Sequence, residues 1–307
     1  MADTYTASAL AAALTVARRH GLGARVPKVL HERSNVLVRL GSVVARVPGR
    51  TRLLRPDATA WLARDVALSH HLTQSGVRVV SPTVDPPAGP HFAEGLPVTL
   101  WHWTPHDPDH RHTPDEVARS LAAVHAALLS FPGELPRRFP GELPRRGPVD
   151  ELFAALDRHG DTMDGAAGRI RAETLRLAAD LPVAVQPRHG DAHPGNVIAT
   201  PDGPCWLDFE DAWLGPLAWD LAILAKQGGP EFLAAYPAGN APTSPNQRSS
   251  NLTSPTLDRP AAASPAELAV CGRLRERFVV VWRYLLAIRF PHRLGEARSA
   301  LADYFAG

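Results

Sequence analysis

The chain has 307 residues, 45% of them hydrophobic and 21% charged, which is enough for a sizeable core and a two-lobed or two-domain enzyme. Its 33 basic and 31 acidic residues leave a net charge of +2, so no nucleic-acid-binding surface is expected. Two cysteines, Cys205 and Cys271, form neither a framework nor a C-x-x-C motif, and no apolar run reaches the length of a membrane span; a soluble, cytoplasmic protein is expected.

The apolar stretch from Ala7 to Ala17 predicts an amphipathic helix closed by Gly21 and Gly23. Val26 to Pro48 is β-rich, with Gly41-Ser42 as a two-residue hairpin turn. Pairing across that turn sets Leu37 opposite Arg46 and Arg39 opposite Val44 on one face. The other face, from Val36 to Val47, is uniformly apolar. A helix from about Ala58 to Ser75 follows, started near Asp57 and stopped by Gly76, with Trp61, Asp65, Leu68 and Leu72 on one stripe. An acid on such a stripe needs a partner.

Val77–Val80 and Pro97–Trp103 are expected as strands, and 113–129 as a helix capped by Thr113. From Phe131 to Arg146 the octapeptide Phe-Pro-Gly-Glu-Leu-Pro-Arg-Arg occurs twice, which its Pro and Gly content assigns to a surface loop. Residues 237–265, rich in Ser, Thr, Asn and Pro, are expected to be a disordered insertion, and helices including Glu267–Phe290 end the chain.

The chemistry concentrates in His189-Gly-Asp-Ala-His-Pro-Gly-Asn196. Two short apolar strands follow, joined by a turn at Pro201-Asp-Gly-Pro204 and running on to Glu210. Pairing across this hairpin brings Asn196 roughly opposite Asp208. One neutral and one anionic oxygen ligand then converge, a set that suits Mg²⁺. Asp191, on the loop before Asn196, can face the same space as a base for an attacking hydroxyl. His189 and His193 are expected to brace the loop. His102, His106, His110 and His112 read as solvated loop histidines rather than a metal site, and Trp61, Trp206 and Trp219 as core.

On these motifs, together with Asp208-Phe-Glu-Asp211, Gly215-Pro216 and Trp219-Asp-Leu-Ala222, the chain resembles the aminoglycoside phosphotransferase and choline kinase-like family of protein-kinase-like enzymes. The resemblance implies an α+β fold with a small β-rich N-terminal lobe (1–103) and a larger, mainly helical C-terminal lobe (104–307). It implies ATP (GTP as the alternative), Mg²⁺ on Asn196 and Asp208, Asp191 as catalytic base, and Asp220 as a brace for the catalytic loop. It also reveals departures. Arg46 stands where such lobes carry a Lys on the third strand, and Asp65 where the next helix carries a Glu. Arg33-Ser-Asn35 replaces the glycine-rich loop, making Ser34 and Asn35 candidates for phosphate contacts. Val44 would roof the base, and Trp101 to Trp103 would form the hinge whose backbone pairs with adenine.

The expected activity is transfer of phosphate to a hydroxyl of a small molecule, an aminoglycoside or other antibiotic among the candidates. The acids of 150–164 favour a polycation, while the arginines from Arg273 to Arg298 lean the other way. Two rivals are a degenerate kinase-like binder without turnover and a metallophosphoesterase. The second needs several further His ligands, and only His292 follows His193.

Overall fold

A computed structural model describes residues 4–22, 26–32, 34–49, 55, 58–136, 147–182, 184–237 and 263–306. Arg33, Asp57, most of the octapeptide duplication and nearly all of the expected 237–265 insertion lie outside these residues. The fold is α+β, an antiparallel sheet followed by a mainly helical remainder.

Helix α1 (Thr4–Arg19) ends where Gly21 takes φ +71°, and the N–H groups of Gly21 and Leu22 close on Arg18 O and Ala17 O. Its buried stripe of Ala9, Ala12, Ala13, Val16 and Ala17 lets the helix approach the sheet closely. The sheet joins β1 (Lys28–His31), β2 (Asn35–Leu40), β3 (Val43–Pro48), β4 (His91–Ala93) and β5 (Leu96–His102) in the order β1-β2-β3-β5-β4. The β2–β3 register is the expected one, with Leu37 opposite Arg46 and Arg39 opposite Val44. Val36, Val38, Leu40, Val43, Ala45 and Val47 bury the back of the sheet against α1. That leaves Leu37, Val44 and Arg46 on the front.

Helix α2 (Ala58–Gln74) buries Trp61, Asp65, Leu68 and Leu72, as its stripe requires, and Gly76 at φ +78° follows its end. Val77–Val80 departs from expectation. It forms no ladder; Trp206 N donates to Arg78 O and Val80 N to Trp206 O, and at the next residue His102 N donates to Ser81 O. The segment crosses from one sheet to another, and Pro82, lacking an N–H, cannot extend a ladder there. Helix α3 (Pro114–Leu128) has the capping box of Thr113 with Glu116.

The remainder holds helices α4 (Pro148–His159), α5 (Ala167–Ala179), α6 (Leu217–Gly228), α7 (Pro230–Ala234), α8 (Pro265–Arg289) and α9 (Leu294–Ala306). Two short β pairs complete it. Strands β6 (Gln186–Arg188) and β9 (Trp213–Gly215) pair with each other, as do β7 (Val197–Thr200) and β8 (Gly203–Trp206). Trp206, Trp213 and Trp219 are buried in the core, and both cysteines are free and buried. No described helix is long and apolar enough to cross a membrane.

Candidate active site

A cleft of about 620 Å³ opens between the front of the sheet and the β7–β8 hairpin. Ser34, Asn35, Val44, Arg46, Trp101, Trp103, Asp191, Asn196 and Asp208 all line it. Asp65 lies beneath, fully buried. Leu37 and Leu207 line the cleft as well, the first from the sheet and the second from the hairpin. The expected hinge is more occupied than the sequence suggests. His102 N donates to Ser81 O at 2.9 Å and Trp103 N to Ser42 O at 2.8 Å, so these backbone donors are spent within the fold.

Arg46 is the hub of a buried charge cluster. Nη1 donates to Asp65 Oδ2 at 2.5 Å, while Nη2 lies 2.8 Å from Asp208 Oδ1 and 2.7 Å from Glu210 Oε2. Asn35 lies against the same guanidinium, its amide oxygen 3.0 Å from Nη2 in the orientation that satisfies both groups. Asp65 spends its other oxygen on Phe209 N at 3.1 Å, which ties α2 to the turn after Asp208. Burial pushes the carboxyls up, Asp65 and Asp208 to about 6 and Glu210 to about 7, with Arg46 opposing the rise in each. One guanidinium cannot offset three buried carboxylates. Excess negative charge on hard oxygen donors suits a divalent cation. Among the described residues no group of three or more His, Cys, Asp or Glu could hold a metal.

Asn196 is held one position from Asp208, because Val197 pairs with Trp206 and Leu207 N donates to Asn196 O at 3.1 Å. Asp208 itself turns into the left-handed region, φ 70°, which redirects the chain out of the hairpin.

The His189–Asn196 loop is fixed from behind. Asp220 accepts His189 N at 2.8 Å on one oxygen and Gly190 N at 2.9 Å on the other. His125 Nε2 lies 2.8 Å from the first of these oxygens, and Trp219 Nε1 donates to Gly190 O at 2.9 Å. Gly190 has φ +88°, and a Cβ there would stand 1.9 Å from Asp211 O, so the motif admits no side chain. Burial lowers the His189 pKa and keeps its ring neutral. Its Nε2 lies 3.1 Å from Leu207 O and its Nδ1 accepts Asp191 N at 3.3 Å, the bracing role the sequence suggests. His193 Nδ1 accepts Gly195 N, and its Nε2 lies 3.5 Å from Asp191 Oδ2.

Asp191 is thereby presented to the cleft, with Asn196 Nδ2 donating to its backbone oxygen at 2.9 Å. Burial alone would raise its carboxyl pKa; Arg275 on α8, which donates to Oδ1 through Nη2, and the His193 ring more than offset this and hold it well below the ordinary range. Sequence reasoning missed Arg275, because helical register alone does not say which arginine of a cation-rich helix turns toward a loop 84 residues away. It also missed His31, Thr104 and His106 as cleft residues, and Glu210 as an Arg46 partner. Glu210 lies in the 3-10 turn Phe209–Asp211 after the left-handed Asp208, so strand alternation gave no signal for it.

Three of the five acids in the segment that could have received a polycation are paired within the fold. Glu151 accepts Arg55 Nε and Nη2, each at 2.9 Å. Asp157 pairs with Arg171, and Asp164 accepts Arg298 and the Tyr284 hydroxyl. These acids fasten elements together.

The fold is shared with solved structures. A choline kinase from Streptococcus pneumoniae is 15% identical, over 94% of this chain and 98% of that one, with a TM-score of 0.59. A macrolide 2'-phosphotransferase from Brachybacterium faecium is 19% identical, over 94% and 97%, at 0.53. An aminoglycoside phosphotransferase, APH(2")-IIIa, solved with GDP and kanamycin, is 16% identical over 92% and 93%, at 0.59. No curated protein matches the sequence. Residues 33–252 match the profile described as the phosphotransferase enzyme family (APH), a span that runs from the turn before β2 past the catalytic loop and α6, and the chain belongs to that family.

Proposed function

We propose that the protein transfers the γ-phosphoryl group of a nucleoside triphosphate, ATP foremost and GTP as the alternative, to a hydroxyl of a small molecule. The observation that carries this reading is that Asp191, Asn196 and Asp208 line one cleft together with Arg46. Phosphoryl transfer asks the protein mainly for positioning and for neutralisation of phosphate charge. Leu37 and Val44 would cover the base, and with the hinge donors spent, Thr104 and His106, which also line the cleft, would read its edge. Arg46 would reach the phosphates, helped by Ser34 and Asn35. Asn196 and Asp208 would hold Mg²⁺, which supplies charge neutralisation on the phosphate oxygens when bound. Asp191 accepts the acceptor's hydroxyl proton as its oxygen bonds to the γ-phosphorus. The bond from that phosphorus to the bridging oxygen breaks, and its electron pair leaves on the nucleoside diphosphate.

Family membership does not settle the acceptor, because function belongs to the site rather than the fold. The test is a panel of hydroxylated acceptors incubated with ATP and Mg²⁺ and scored by mass spectrometry for a phosphate adduct. Mg²⁺-dependent nucleotide binding without turnover across the panel would favour a degenerate binder instead.

A further inference from the structure

We infer that Arg275 is a specificity-determining residue, and that the acceptor carries an anionic group, a carboxylate or phosphate, close to the hydroxyl that is phosphorylated. The inference rests on the proposed kinase reading and deepens it. Arg275 reaches from α8 to the one carboxylate that must meet the acceptor, and it does so through a single nitrogen, Nη2. Its Nε is buried and has no hydrogen-bond partner among the described residues. The side chain is only 13% exposed and its guanidinium lies 5.3 Å from the Phe278 ring centroid, so it is held in place rather than waving in solvent. A partly exposed guanidinium that spends one nitrogen on Asp191 keeps capacity for a second anion, and one carried by the acceptor beside Asp191 would use it. A guanidinium fork suits a carboxylate or phosphate in both shape and charge.

The charges around it point the same way. A polycationic acceptor would meet Arg275 at the base itself, a like-charge contact that works against binding. Of the acids that could have offset this, Glu151 is engaged with Arg55, Asp157 with Arg171 and Asp164 with Arg298. For an anionic acceptor the difficulty is the reverse. Its charge must approach Asp191 and the triphosphate, and a cation at that point lowers the repulsion. Chemistry is unchanged: the hydroxyl oxygen takes the phosphoryl group, its proton goes to Asp191, and the nucleoside diphosphate departs.

The experiment compares two arms with ATP and Mg²⁺. One holds hydroxy acids, sugar acids and hydroxyl-bearing amino acids, each paired with its uncharged amide; the other holds aminoglycosides, choline and neutral sugars. Adducts are expected in the acid arm. Arg275→Gln should cut kcat/KM for the acid by about 30-fold or more while bringing the acid-to-amide ratio toward one. Arg275→Lys should keep part of the preference. Nucleotide binding by both variants, unchanged, serves as the folding control. Adducts confined to the second arm, no adduct in the acid arm, or an acid-to-amide ratio that survives Arg275→Gln would each overturn the inference. The last is what a residue that merely steadied Asp191 would give. Failure of the parent protein to bind Mg²⁺-nucleotide would instead strike at the kinase reading.

Discussion

Replacing Arg46 by Met isolates the charge cluster on which the nucleotide side of the cleft depends. The substitution keeps an apolar stem of similar length and removes the cation that faces Asp65, Asp208 and Glu210. In the parent protein Asp65 and Asp208 titrate at about 6, so both are mostly ionised at pH 7. Without Arg46 each must take up a proton, and one pH unit apiece at ~1.4 kcal/mol gives about 3 kcal/mol. Glu210, already near 7, adds little. Lost hydrogen bonds contribute ~1 kcal/mol more, for a total of about 4 kcal/mol, in the range for breaking a buried ion pair. The sign of the pH dependence follows from the raised values. Stability from such groups is present below their unfolded pKa values of about 4 and is lost as pH rises through 6 and 7. At pH 5 the parent carboxyls are already protonated, so the ionisation part vanishes and about 1 kcal/mol should remain. His125, which burial lowers to about 4, titrates with the opposite sign but alike in both proteins, and cancels. Urea unfolding of both proteins at pH 5 and pH 7, without divalent cation, measures the difference. Arg119→Met, which breaks an exposed pair with Asp115, is the control and should leave the transition within error. An equal loss at the two pH values, or one below 1 kcal/mol at pH 7, would refute the electrostatic account.

Three further outcomes are expected. Asp191→Asn should abolish phosphoryl transfer and leave nucleotide binding nearly unchanged, measured as turnover and binding in one preparation. Asp208→Ala should eliminate Mg²⁺-dependent nucleotide binding and Asn196→Ala should weaken it, which titration calorimetry with and without Mg²⁺ will read. Gly190→Ala should destabilise the protein by ~1–3 kcal/mol from the left-handed backbone alone, and by more from the collision with Asp211 O; an unshifted melting temperature would contradict the loop geometry.

The sheet was legible because a two-residue turn fixes register, and register fixes faces; one glycine-serine pair placed Arg46 opposite Leu37. The helix stripe put Asp65 inside for the same reason of period, and its burial demanded the partner that Arg46 supplies. The catalytic motif was legible because its residues are neighbours in sequence and its hairpin is local. What was hidden depends on long-range packing. Val77–Val80 has a strand's composition, yet its hydrogen bonds go to Trp206 rather than to a continuous ladder. The acids of 150–164 looked like a cation-binding patch, but Arg55, Arg171 on α5 and Arg298 on α9 are set against Glu151, Asp157 and Asp164. Composition counts charges, and only packing says which are already paired. Arg275 is the sharpest case, one arginine among several on its helix that happens to face the base.

The family resemblance implies that Arg46–Asp65 replaces the usual Lys–Glu pair, an exchange that keeps the summed side-chain reach. Arginine reaches one bond further than lysine, and aspartate one bond less than glutamate, so strand β3 and helix α2 need not move. What changes is valency. A lysine ammonium is a compact point charge on a flexible stem, whereas the planar fork of Arg46 directs Nη1 at Asp65 and Nη2 at Asp208 and Glu210. The brace between β3 and α2 and the anchor on the candidate metal ligand therefore become one rigid group. Such a group can hold Asp208 in position with less help from a covering glycine loop, and here Ser34 and Asn35 occupy that place, Asn35 with its amide against the same guanidinium. On this reasoning the two departures from the usual pattern are linked. Arg46→Lys should restore charge but leave Asp65 and Asp208 competing for a single ammonium. Its double-mutant cycle with Asp65→Asn on nucleotide binding should then show weaker coupling than the cycle starting from Arg46, and equal coupling would mean that the fork geometry contributes nothing.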